Sequence, residues 1–285
     1  MELDELIRTV QKIDLLSNSV SRQKMPGTSS SLLKGRGVVL NALRKYQHGD
    51  DVRNINWNVT ARFRDTHVNT FNEDKVRRIW IMIDVSGSSA FGVIRRNKID
   101  LEIEIGATIT YNAIRRNDSV GVLFFSDKIE QLIMPVKGMA GFWHIAKAMV
   151  ECRPCPGTTS IDSGLDFLMK INCTRSLLFI VSDFMTSGYE RPCLLFAQHN
   201  EVFTIHVFDK LEYRLPKLGW VRLTDVESGK QKWVNTSSRK FATAWYEQQT
   251  GMMEKYRHFL LKNDIRNISV STDEDIVEKL SNLLC

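Results

Sequence analysis

The chain has 285 residues, 43% hydrophobic and 25% charged, with 16 Gly and 6 Pro. That composition suits a folded protein with a sizeable core and excludes disordered, collagen-like and low-complexity classes. Basic side chains exceed acidic ones by six, the acidic start MELDELI is unlike a signal peptide, and no apolar stretch approaches the ~18 residues of a membrane span, so a cytoplasmic protein is expected.

Residues 1–20 carry apolar side chains at 3, 6, 7, 10, 13 and 16, the spacing of a helix. A loop rich in Gly, Ser and Pro follows through MPGTSSS and KGRG. Between 38 and 78 lie short strand-like pieces (VVL, HVNTF) and the polar, aromatic-bearing stretch YQHGDDVRNINWNVTARFRD. From Arg78 the texture changes. Continuous apolar runs at Ile79–Ile83, Val120–Phe125, Leu177–Val181, Val202–Phe208 and Ile268–Val270 read as fully buried strands. Helical candidates at 98–115, 141–150, 161–171, 189–198 and 241–262 separate them, and 273–284 follows the last. KIDLEIEI at 98–105 alternates like a strand, but its place between two buried strands and the Gly106-Ala107 after it predict helix. Segment 209–240 interrupts the alternation as a hairpin around Glu227-Ser228-Gly229-Lys230. The expected division is an N-terminal extension, 1–77, and an α/β domain, 78–285, with a hairpin insertion at about 209–240. The predicted fold of that domain is a doubly wound, mostly parallel sheet with helices on both faces.

Five cysteines, an odd number, argue against a disulfide framework. Cys152 and Cys155 form a C-x-x-C, yet they run into Pro156-Gly157 and lack two further ligands at zinc spacing, so they read as loop thiols.

Ligands of open α/β sheets bind beyond the carboxyl ends of the strands. Three polar loops fall there: Asp84-Val85-Ser86-Gly87-Ser88, Gly157-Thr158-Thr159-Ser160 and Ser182-Asp183-Phe184. They offer two carboxylates and several hydroxyls, hard oxygen donors that suit Mg²⁺ or Mn²⁺ with positions left for water or a partner. Helix capping is the competing reading for Ser182-Asp183 taken alone. The conjunction of D-x-S-G-S with a Thr loop and a second strand-end Asp favours the metal.

Asp84-x-Ser86-x-Ser88, Thr159 and Asp183 resemble the metal-ion-dependent adhesion site of the von Willebrand factor A fold. Thr159 is matched by register with the helix that follows, and Thr158 is the alternative one residue away. The resemblance implies that Asp84, Ser86 and Ser88 hold a divalent cation, with Thr159 and Asp183 contributing directly or through water. A partner's carboxylate would complete the coordination.

A second, longer pattern, Arg44-x-Tyr46-x-x-Gly49-Asp50-Asp51-x-Arg53-x-Ile55-x-Trp57-x-x-x-Ala61-Arg62, resembles the signature of bacterial proteins grouped as domain of unknown function 58. Asp225-x-Glu227-x-Gly229 in the hairpin is similar to that family as well. Members often have Asp where this chain has Asn56, and many carry N-terminal membrane helices that are not carried over here. Their company with MoxR-type AAA+ ATPases implies a role as partner or adaptor of such an enzyme. Read physically, Asp50, Asp51, Arg53 and Arg62 could form an ion-pair network with Trp57 packed against the sheet; a partner surface is the other reading.

The expectation is a non-enzymatic, divalent-metal-dependent interaction module. A metal-dependent phosphohydrolase is one rival, because a strand-end Asp84 could act as a nucleophile. The acid/base carboxylate of such enzymes is replaced by Ser86, and no His, Cys or second carboxylate is expected beside Asp84 or Ser86 as a base. A nucleic-acid-binding protein is the other rival. Residues 1–78 hold fourteen basic and nine acidic side chains, but no run of five like charges, so the excess reads as a mixed solvated surface. Dinucleotide and P-loop fingerprints are absent.

Overall fold

A computed structural model describes residues 2–11, 39–48, 50–62, 65–72, 76–92, 96–171, 173–224, 231–276 and 279. The second half of the predicted first helix, the Gly/Ser loop, the hairpin tip with Asp225, Glu227 and Gly229, and most of the predicted last helix lie outside the described residues.

Helix α1 (3–11) places Leu6 and Val10, one turn apart, in the main core. Strands β1 (Val39–Lys45) and β2 (His67–Asn72) pair antiparallel as a separate two-stranded sheet. Between them lies the short helix α2 (Trp57–Thr60). The main sheet is built from β3 (Arg78–Asp84), β4 (Ser119–Phe125), β5 (Ile129–Val136), β6 (Ser176–Ser182), β7 (Glu201–Phe208) and β10 (Arg266–Ser271). Its order is β10-β7-β6-β3-β4-β5, parallel throughout except for β5. Crossovers run through α3 (Lys98–Arg115), α4 (Gly138–Glu151), α5 (Ile161–Lys170), α6 (Glu190–Ala197) and α8 (Arg239–Lys262). Between β7 and α8 stand a short helix, α7 (Lys210–Tyr213), and the antiparallel pair β8 (Trp220–Thr224) and β9 (Gln231–Asn235). This is the von Willebrand factor A-like doubly wound sheet that the loop motif implies.

β3 shows why the parallel strands carry unbroken apolar runs. Ile79, Ile81 and Ile83 face a core shared with α3 and α4, while Trp80 and Met82 face a second core shared with α5, α6 and α8. Both faces are covered, so period-two alternation in polarity is lost. Close helix approach fixes this strand from both sides. A Cβ on Gly106 of α3 would lie 2.8 Å from the Ile83 side chain, and one on Gly164 of α5 would lie 2.4 Å from Met82.

The strand-like alternation of KIDLEIEI has a related cause. α3 is buried around nearly its whole circumference, so no polar stripe marks its outer face. Its interior polar groups bond back along the helix, Thr108 to the Glu104 carbonyl at 2.8 Å and Thr110 to the Gly106 carbonyl at 2.7 Å. Strand β5 had no counterpart among the expected elements. It is an edge strand, half-exposed along most of its length, with polar Glu130 and Gln131 and a proline, which only an edge tolerates.

The Trp57 expectation is corrected. Trp57 is 68% exposed, and the motif around it is held by turns and caps rather than by a buried network. Arg44 pairs with Asp50 at 2.5 Å, Asp51 accepts from the Arg53 amide, and Asn56 caps α2 by accepting from Val59 N–H at 3.1 Å. Arg53 and Arg62 are exposed. An amide oxygen serves as that cap as well as a carboxylate would, so Asn56 retains its function there. Cys152 and Cys155 are free thiols in the loop after α4.

Candidate metal centre

The site lies where β3 ends, in the middle of the sheet between β4 and β6. Asp84, the last residue of β3, is fully buried. One carboxylate oxygen accepts from the Ser86 amide at 3.0 Å and the other from the Ser182 hydroxyl at 2.7 Å. Ser182 closes the neighbouring strand, so the parallel register itself delivers this hydroxyl to Asp84. Beyond Asp84 a 3-10 turn, Gly87–Ala90, brings Ser88 back beside Ser86.

The second loop meets the first here. Thr159 donates its hydroxyl to the Ser86 hydroxyl at 2.8 Å, and the Ser86 and Ser88 hydroxyls lie 3.0 Å apart. Thr159 is buried whereas Thr158 is exposed, so the structure brings Thr159 to the cluster. Ser160 fixes the loop by capping α5 through the Ser163 amide, and its own amide bonds the Ser126 carbonyl at 2.9 Å.

Asp183 comes from the third loop. It does not cap a helix, because α6 begins only at Glu190. Instead one of its oxygens accepts from the Met185 amide at 3.1 Å, and the Ser88 hydroxyl also bonds to it. The next residue, Phe184, sits at φ 53°, a left-handed conformation rare for a bulky side chain. Its ring is buried and stacks on Tyr256 at 4.5 Å, which holds the strained turn and aims Asp183 into the site. All five expected residues, Asp84, Ser86, Ser88, Thr159 and Asp183, therefore converge.

Three charged neighbours were not anticipated. Lys98, the first residue of α3, is 1% exposed and donates to Asp183 at 2.8 Å and to Glu212 of α7 at 2.7 Å. Burial opposes its charge, but Asp183 and Glu212 outweigh that and hold the ammonium protonated. Glu102, one helical turn beyond Lys98, is fully buried, and neither carboxylate oxygen has a hydrogen-bond partner. Burial, and then the charge of Asp84, push its carboxyl well above the ordinary range. The expectation of no second carboxylate beside Asp84 is thus amended by Glu102, whose carboxyl feels the charge of Asp84. The sequence signal lay in Lys98 and Glu102 standing at i and i+4 on a helix otherwise rich in apolar residues. Glu212 had no such signal.

Burial also pushes the Asp84 carboxyl up to about 6, helped by Asp183 and opposed by the bonds from Ser182 and Ser86. Asp183 goes the other way: burial would raise it, but Lys98 holds it below the usual carboxylate range. Among the described residues, no three His, Cys, Asp or Glu side chains converge as metal ligands. The cluster is one of hydroxyls backed by two carboxylates, a hard donor set that fits Mg²⁺ or Mn²⁺ and disfavours soft metals.

Solved structures share this frame. BatB, a conserved hypothetical protein of Bacteroides thetaiotaomicron, aligns with a TM-score of 0.50 at 10% identity, over 73% of this chain and 96% of its own. An aerotolerance-related membrane protein of Bacteroides fragilis aligns with the same values. At that identity the likeness shows the fold alone. No described helix of this chain is long and apolar enough to cross a membrane. Among curated proteins, uncharacterized proteins of Mycobacterium tuberculosis and Mycobacterium bovis are 30% identical over 206 residues, 71% of this chain. The chain spans 65% of the length of those relatives. Residues 42–254 match the family described as "Protein of unknown function DUF58", and the chain belongs to that family.

Proposed function

We propose that this protein is a non-enzymatic interaction module that engages a protein partner through a divalent cation, Mg²⁺ or Mn²⁺, and that the partner is a MoxR-type AAA+ ATPase in the same cytoplasmic compartment. The observation that carries the reading is the joining of the Ser86, Ser88 and Thr159 hydroxyls, from two loops, at 2.8 and 3.0 Å over the buried Asp84. Hydroxyls do not gather at a strand end for core packing, since each unpaired buried polar group costs about 1–3 kcal/mol. Asp84, Ser86 and Ser88 would hold the ion, with Thr159 and Asp183 contributing directly or through water. When bound, such an ion supplies a Lewis-acidic position for an outside Asp or Glu.

The rival hydrolase reading finds no support in the polar contacts. The Ser86 hydroxyl bonds the Ser88 and Thr159 hydroxyls, Glu102 bonds to none of them, and both oxygens of Asp84 are engaged by Ser182 and the Ser86 amide. A nucleophile without a positioned base is poorly activated. Titration calorimetry with Mg²⁺ and Mn²⁺ tests the proposal. Wild type should bind one ion and Asp84→Ala none, and equal uptake by the two proteins would remove the assignment.

A further inference from the structure

The two carboxylates nearest the hydroxyl cluster are treated differently. Asp84 is bonded only by neutral donors, the Ser86 amide and the Ser182 hydroxyl. Asp183 carries a full positive charge on one oxygen, the Lys98 ammonium at 2.8 Å, while its other oxygen takes the Met185 amide. Lys98 is no surface lysine that happened to fold inward. It is 1% exposed, anchored at the first turn of a buried helix, and gripped from its other side by Glu212 at 2.7 Å. Glu212 is itself fixed. Its second oxygen accepts from the Asp209 amide at 3.1 Å in a capping box, and its carbonyl accepts from the Trp245 indole at 2.7 Å. Three separate elements thus hold one ammonium against the carboxylate that the site offers a metal.

We infer that Lys98 is a resident counter-cation of the site, which occupies Asp183 with a tethered positive charge and thereby weakens the binding of a divalent ion there. This deepens the metal reading above and rests on it. The physical reason is direct. A carboxylate shared with an ammonium has less charge and fewer lone pairs to give, and a second cation brought into the same buried space is repelled by the first. Without Lys98 the buried Asp84 and Asp183 and the half-buried Glu212 would face one another with nothing to offset their repulsion, so the lysine makes the metal-free fold tenable. The same contact makes occupancy conditional, with an ion needing added help, such as a partner carboxylate, to bind tightly. A structural lysine with no bearing on the ion would satisfy the same burial but would leave metal affinity untouched.

Calorimetry on the intact chain at pH 7.5 with Mg²⁺ and Mn²⁺ separates these roles. Lys98→Met removes the charge and keeps the length, and should bind the ion at least about tenfold more tightly than wild type. Lys98→Arg keeps the charge and should stay within about threefold of wild type. In EDTA, Lys98→Met should melt below wild type and then gain more from added Mg²⁺ than wild type does. Should Lys98→Met not fold, Lys98→Gln, neutral but still able to donate to Asp183, carries the same expectation of tighter binding. A folded Lys98→Met or Lys98→Gln whose affinity is unchanged or weaker overturns the inference while leaving the metal site standing. Wild-type uptake that survives Asp84→Ala overturns the site assignment instead. No uptake by wild type or by either neutral variant overturns both.

Discussion

Replacing Asp84 by Asn should stabilise the metal-free protein and destabilise it relative to wild type once metal is added. The carboxyl is fully buried and its ionisation is pushed from 3.8 up to about 6. A folded-state value above the unfolded one means that stability is fully present below about pH 4 and is lost as pH rises through about 6. Roughly two units correspond to about 3 kcal/mol lost above pH 6. Asn carries no charge, keeps the size, and can still accept from the Ser86 amide while its amide group faces the Ser182 hydroxyl. Allowing roughly 1 kcal/mol for an imperfect contact leaves the variant about 2 kcal/mol more stable than wild type at pH 7.5 in EDTA, and no more stable near pH 4. Mg²⁺ at a hundred times its dissociation constant should then add about 2.7 kcal/mol to wild type and nothing to the variant, which reverses their order. Urea unfolding at both pH values, with chelator and with Mg²⁺, reads all four states. A variant less stable than wild type in EDTA at pH 7.5, or equally stabilised by Mg²⁺, would refute the reasoning.

Phe184→Ala should cost about 3–5 kcal/mol from the lost buried ring, and Phe184→Gly should be no worse, because glycine relieves the left-handed backbone at that position; thermal unfolding of the pair checks this, and a clearly worse glycine variant would contradict the strain argument. Ser86→Ala should leave the circular dichroism spectrum unchanged but reduce capture of the purified MoxR-type ATPase as far as EDTA does, since Ala fills nearly the same buried space and removes only the hydroxyl. Equal capture by wild type, variant and chelated protein would place the partner surface elsewhere, with the exposed Trp57 the next residue to mutate.

How much of this could be read beforehand followed burial and locality. β3, β4, β6 and β7 announced themselves because strands covered on both faces have no solvent side to dilute their apolar runs. The loops with Asp84, Ser86, Ser88, Thr159 and Asp183 could be placed together because strand ends in such a sheet must share one edge. β5 escaped because an edge strand mixes polar and apolar residues without a clean period. Trp57 was misjudged since a short capped helix can be held by local turns with its aromatic side chain left in solvent. Lys98 and Glu212 lie 114 residues apart, and only the packing of α3 beside α7 makes them partners. Charge pairing over that distance leaves no local trace in a single chain.

The candidate site joins segments that are far apart in the chain: Ser86 meets Thr159 across 73 residues, and Asp84 meets Ser182 across 98. The second pair cannot form before β6 has docked on β3, so a long loop must already be closed when Ser182 first faces Asp84. An ion binding there could not template the early collapse of the chain. It would act after the rate-limiting step, as a clasp on a finished sheet, slowing escape from the native state far more than it hastened arrival. A ribosome-bound chain stopped short of β6 would hold the D-x-S-x-S loop and Thr159 without Ser182 or Asp183 to complete the cluster.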